Sequence, residues 1–135
     1  MFYLTRREHF NAAHKLANPK WTDAENLKVF GGCANPNWHG HNYVLFVTVK
    51  GTPDPETGFV VNMKAISQLI KTHVLDLVDH KNLNLDVPFM NNIIPSTENF
   101  AKAIWQQLEP HLPKGQLHCI RLQETENMYV DYFGE

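Results

Sequence analysis

The chain has 135 residues, 43% of them hydrophobic and 19% charged, with 12 Lys and Arg against 14 Asp and Glu for a formal charge of -2. That composition is globular and, at this length, implies a single domain over residues 1–135. The near-balanced charge gives no electrostatic basis for nucleic acid or an anionic membrane as partner. No run approaches the roughly 18 to 20 apolar residues that span a bilayer, and the first residues turn charged before a signal-peptide core could form. Two cysteines, Cys33 and Cys119, are too few for a disulfide framework. The expectation is a reduced, unexported, cytoplasmic protein.

From Phe2 to His14 alternate positions read Phe2, Leu4, Arg6, Glu8, Phe10, Ala12 and His14, a partial alternation that predicts a strand with a bulge or a mixed environment and His14 on the face of Phe10 and Ala12. Residues 15–32, with Pro19 and the Gly31-Gly32 pair, show no sustained period and read as a long loop, of a length that is usually functional or mobile. The run Tyr43 to Val49 is β-branched or aromatic almost throughout. A strand apolar on both faces needs two covers, a helix on one side and another subunit on the other. Turn residues from Thr52 to Gly58 then predict a hairpin whose returning strand is Phe59-Val60-Val61. Asn62 is placed to cap a helix from Met63 to about Val78, with Met63, Ile66, Ile70, Val74 and Leu77 as its apolar stripe. Pro95-Ser96-Thr97-Glu98 announces a second helix, capped by Ser96 or Thr97, that buries Phe100, Ala101, Ile104, Trp105 and Leu108. Leu117 to Glu124 and Met128 to Phe133 close the chain as paired strands. The order ββααββ predicts an α+β fold, a four-stranded antiparallel sheet with both helices on one face.

The chemistry concentrates between Cys33 and Tyr43. In an extended backbone His39 and His41 project to the same face and can present two imidazoles to one metal ion. Gly40 between them lets the backbone or a ligand come close, and the Asn35-Pro36-Asn37 turn can fold Cys33 back toward the same point. With His14 added, three neutral imidazoles from neighbouring strands leave a fourth position open, as in catalytic zinc sites. The pair alone would more often be ordinary partly buried histidines on hydrogen bonds; the four residues together favour a metal. Cys33 is then a fourth ligand that closes the site, a nucleophile or base beside it, or a small buried filler, the role that Cys119, next to Ile120 and Leu122, takes. Asp79-His80 after the first helix has the form of a carboxylate that orients an imidazole to tune a thiol, or of a histidine resting on a helix dipole. Glu124 could accept paired hydrogen bonds from an aminopyrimidinone edge, or simply sit at a solvated strand end.

Five separated motifs, Phe10-Asn-Ala-Ala-His14, Cys33 through His39-Gly-His41-Asn-Tyr43, Asp79-His80-Lys-Asn-Leu-Asn, Pro95-Ser96-Thr97-Glu98-Asn and Glu124-Thr125, together resemble the 6-pyruvoyl-tetrahydropterin synthase family, which includes the 6-carboxy-tetrahydropterin synthases of queuosine biosynthesis. The resemblance implies a tunnelling fold whose trimers close their sheets into a barrel and stack into a homohexamer. It implies that His14, His39 and His41 bind Zn2+, that Cys33 is the catalytic thiol, and that Asp79 and His80 complete its proton relay from a neighbouring subunit. Glu124 would anchor a pterin, assisted by Ser96 or Thr97. The implied reaction is a lyase reaction on 7,8-dihydroneopterin triphosphate that expels triphosphate. Five residues separate Cys33 from His39, the spacing common in the pyruvoyl-forming members, while the queuosine enzymes commonly show three. Trp38 stands where a smaller residue is frequent in the animal enzymes. Outside this family the same residues would suit a zinc-stabilised binding module with Cys33 as fourth ligand, or a metal-free thiol hydrolase using Cys33, His80 and Asp79.

Overall fold

A computed structural model describes residues 1–135. Two long strands, β1 (Phe2–His14) and β2 (His39–Gly51), pair antiparallel along their whole length, from Phe2 opposite Gly51 to His14 opposite His39. Further along the chain come β3 (Lys81–Asn82), β4 (Leu117–Thr125) and β5 (Met128–Tyr132), and the sheet order is β3-β1-β2-β4-β5. The four long strands are antiparallel neighbours, as the sequence predicts. The short β3 joins the edge of β1 in parallel, which makes the sheet five-stranded and mixed. Two residues carry no pattern of alternation, so β3 left no trace in the sequence.

The helices are α1 (Asp23–Phe30), α2 over residues 63–78, and α3 (Thr97–Leu108). Helix α1 lies inside the expected loop. It has no buried apolar stripe to announce it, because Leu27 and Val29 are exposed, and it rests on its Thr22 cap and on the buried Asn26. Helix α2 starts at the Asn62 cap, as expected, but contains a π-helical turn at Lys71–Leu75. That wider turn keeps Ile66, Ile70, Val74 and Val78, spaced four apart, on one line, so Val78 is buried and Leu77, expected in the stripe, is exposed. Helix α3 buries the predicted Phe100, Ala101, Ile104, Trp105 and Leu108.

The predicted return strand Phe59–Val61 does not form. Asp54 Oδ1 accepts the backbone N–H groups of Glu56 and Thr57, and the Asp54 N–H donates to the Phe59 carbonyl, so the backbone closes on itself as a loop instead of pairing with β2.

One core of 22 buried residues joins α2 and α3 to one face of the sheet, where Phe10, Tyr43, Leu45, Val47, Val49, Ile120 and Leu122 lie. The other face of β2 leaves Val44 and Phe46 half-buried.

Candidate metal centre and active site

The alternation that buries Tyr43, Leu45, Val47 and Val49 carries His41 and His39 onto the same face, where the apolar core gives way to a polar end. His14 ends β1 directly opposite His39, and Glu124 follows Gln123, the partner of Val44, on β4. One donor atom each from His14, His39, His41 and Glu124 lies within 4.8 Å of the other three. The ring centres are 4.5 Å apart for His14 and His39, 5.0 Å for His14 and His41, and 4.9 Å for His39 and His41. Gly40 permits this closeness through backbone packing, since a Cβ there would stand 3.3 Å from the Ala12 carbonyl oxygen.

The start of α3 supports the cluster. His14 is fully buried and its Nδ1–H donates to the Pro95 carbonyl at 2.9 Å, which turns Nε2 toward the other histidines. Ser96 caps α3 by accepting the Asn99 N–H, and the adjacent Thr97 hydroxyl donates to Glu124 Oε2 at 2.8 Å. The alternative left open in the sequence thus resolves into two tasks, Ser96 for the helix and Thr97 for the carboxylate. His14 first, then Thr97 and His41, hold the Glu124 carboxyl down to about 2 against the cost of its burial. Burial is the main cause that lowers both His39 and His41, helped by the neighbouring histidines, so both are neutral near pH 7.

These atoms are short of partners. His14 Nε2 and His41 Nε2 stand 3.2 and 2.9 Å from Glu124 Oε1. Neither is aligned for a hydrogen bond, and both nitrogens of His39 are also unpartnered. Buried polar atoms without partners are costly, and neutral imidazoles beside an ionised carboxylate are what a divalent cation satisfies. The donor set therefore fits the metal that the sequence predicts, and it places Glu124, expected as a substrate anchor, against the histidines as well.

Cys33 is half-buried in a 3-10 turn, Gly31–Ala34, that follows α1. Its carbonyl accepts the Leu16 N–H at 2.8 Å, which pins it beside the end of β1. Its sulfur is outside the converging group of four. Asn26 holds the loop behind it, bonding the Asn18 N–H and carbonyl and the Thr22 carbonyl. Asn84 likewise brackets Lys15, accepting its N–H and donating to its carbonyl. Asn84 ends the motif that begins at Asp79, but neither asparagine's role was legible in the sequence, since a side chain that bonds distant backbone follows no periodicity.

Asp79 and His80 form a pair of their own, with His80 Nδ1 3.0 Å from Asp79 Oδ1. Asn11 fixes it, giving its N–H to Asp79 and taking that of His80. His80 adopts a left-handed φ of 62° and its side chain is 74% exposed. It lines a cavity of about 510 Å³ with Asn11, Asn42, Lys81, Asn82 and Asp86, and no hydrogen bond joins the pair to Cys33 within one chain.

Comparison with known proteins places this geometry. The family model described as 6-pyruvoyl tetrahydropterin synthase matches residues 3–135. The 6-pyruvoyl tetrahydrobiopterin synthase of Pongo abelii is 45% identical over 132 residues, covering 98% of this chain and 91% of the relative. A 6-carboxy-5,6,7,8-tetrahydropterin synthase of Bacillus subtilis is 28% identical, covering 97% and 84%. The structure of the Caenorhabditis elegans 6-pyruvoyl tetrahydropterin synthase superposes with a TM-score of 0.94 at 36% identity, covering 99% of this chain and 96% of that one.

Proposed function

The chain belongs to the 6-pyruvoyl tetrahydropterin synthase family, and from that premise we propose that it is a zinc-dependent carbon–oxygen lyase that converts 7,8-dihydroneopterin triphosphate to a 6-pyruvoyl-tetrahydropterin with release of triphosphate. The observation that carries this is the convergence of unpartnered donors from His14, His39 and His41 at the end of the core, on a chain matched to the family from residue 3 to residue 135. Bound by the three histidines, zinc would supply Lewis-acid polarisation of the substrate's side-chain hydroxyl oxygens and so acidify the adjacent C–H.

The chain's own residues do the rest. Glu124, ionised and oriented by Thr97, accepts paired N–H groups from the pterin edge, and Ser96 sets the position of Thr97 by fixing the helix start. Cys33, outside the ligand group, acts as the thiolate that accepts and returns the side-chain protons. Asp79 orients His80, and the pair serves the Cys33 of a neighbouring subunit. Its high exposure and its fixed geometry support a role that only assembly completes. A homohexamer built from two trimers would also cover the half-buried Val44 and Phe46. The setting is the cytoplasm, where the free thiols Cys33 and Cys119 stay reduced.

The 28% relative named for a carboxy product supports a second outcome from the same substrate, 6-carboxy-tetrahydropterin. The higher identity to pyruvoyl-forming relatives and the five-residue spacer after Cys33 favour the first. Mass spectrometry of the product from zinc-loaded protein and dihydroneopterin triphosphate decides between them. A pyruvoyl side chain is expected, and a carboxyl side chain would transfer the protein to the other branch.

A further inference from the structure

Lys15 and Trp38 lie just beyond the last cross-strand pair, His14 and His39, each bonded in sequence to a residue of the histidine cluster. The Lys15 ammonium lies 4.6 Å from the centre of the Trp38 ring, the contact of a cation with a π face. No carboxylate pairs with it, and the lysine is half-buried with its backbone clamped by Asn84. Trp38 is held at φ 68°, in the left-handed region that bulky side chains avoid. The turn that holds it is fixed by the Trp38 N–H on the Asn35 carbonyl and the Asn37 N–H on Asn35 Oδ1. Strain of this kind persists where the side chain has work to do.

The proposed substrate carries a triphosphate, and no glycine-rich phosphate loop accompanies these strands. Among the lysines near the site, Lys28 is exposed on the last turn of α1, where it complements the helix end. Lys81 shares its cavity with the Asp86 carboxylate. Lys15 alone combines an uncompensated charge, a partly desolvated position and adjacency to the cluster.

We propose that Trp38 is a positioning residue that holds the Lys15 ammonium at the rim of the histidine cluster as the contact for the substrate's phosphate chain. The ring restricts a flexible side chain before the ligand arrives, so less conformational freedom is lost on binding. The inference rests on the substrate proposed above.

The probe is inorganic triphosphate, titrated calorimetrically into zinc-loaded wild-type oligomer and used as a competitive inhibitor of turnover. Lys15→Met should weaken its binding about tenfold or more, the factor of a charge-assisted contact. Trp38→Leu, which keeps bulk and loses the π face, should weaken it about threefold, and Trp38→Phe should stay within about twofold of wild type. The double variant should bind no more weakly than Lys15→Met alone, and KM should follow these changes with kcat nearly constant. Wild-type binding in Trp38→Leu, additive effects in the double variant, or loss of zinc from Trp38→Leu would each overturn the proposal. If wild-type protein releases no triphosphate from dihydroneopterin triphosphate, the proposed function fails, while the calorimetric titration still judges the Lys15–Trp38 pair on binding alone.

Discussion

Thr97 links the helix layer to the candidate site through a single hydroxyl, which makes Thr97→Val an informative substitution. The side chains are nearly isosteric, their helix propensities are close, and the residue is 4% exposed, so the change removes one donor from a packed site. The lost bond is the 2.8 Å contact to Glu124 Oε2. Since Glu124 is held at about 2, by His14 first and then by Thr97, it is ionised at neutral pH and the bond is charge-assisted. Bonds of that class contribute about 1.5–3 kcal/mol net, and the carboxylate is left with an unpaired oxygen. Metal-free Thr97→Val should therefore lose about 2 kcal/mol at neutral pH by urea unfolding at fixed protein concentration, with an unchanged m-value. The Glu124 pKa should rise, and the deficit should shrink as pH falls through that range and the carboxylate becomes neutral. Thr97→Ser, which keeps the hydroxyl, should recover most of the loss. A deficit below about 0.5 kcal/mol, or one as large in Thr97→Ser, would refute the assignment of the bond.

Three further outcomes are expected. In metal-free protein, His39 and His41 are lowered from 6.5 and Glu124 from 4.5 to about 2. Stability should thus be greatest above pH 6.5 and fall on acidification, as the unfolded chain takes up protons that the buried imidazoles resist. A second fall follows between 4.5 and 2, as the carboxylate is protonated; melting temperatures that rise from pH 7 to 5 would contradict this. Gly40→Ala should cost about 1 kcal/mol and weaken zinc binding, because its Cβ would press on the Ala12 carbonyl 3.3 Å away, and competitive chelator titration measures the latter. Inactive Cys33→Ala and inactive His80→Ala, mixed under subunit exchange, should regain activity at about a quarter of the sites if thiol and imidazole come from different chains; no recovery would place them in the same chain.

The sequence exposes those parts of the fold that rest on periodic burial. The partial alternation of β1, the apolar run of β2 and the stripe of α3 are visible because each carries the residues that fill the core, His14 is visible because it shares the face of Phe10 and Ala12, and His39 and His41 because residues two apart on a strand share a face. What escapes it rests on single long-range bonds. Helix α1 is held by Asn26, β3 by two residues on the edge of β1, and the loop at Asp54 by one carboxylate. The position of Glu124 was legible only as a face of β4; its contact with the histidines depends on the register between β2 and β4, which no local pattern encodes. Trp38 shows the same limit, since its identity is plain in the chain and its left-handed backbone is not.

The central claim is a three-histidine zinc centre with Cys33 beside it rather than on it. Purified protein, loaded with one equivalent of zinc, is incubated with dihydroneopterin triphosphate, and triphosphate release is compared with that of Cys33→Ala. Release by the wild type is expected, with turnover abolished in the variant while elemental analysis still finds one zinc per chain. Full activity in Cys33→Ala would remove the thiol from the chemistry, and loss of zinc from that variant would make Cys33 a ligand and the site a closed one.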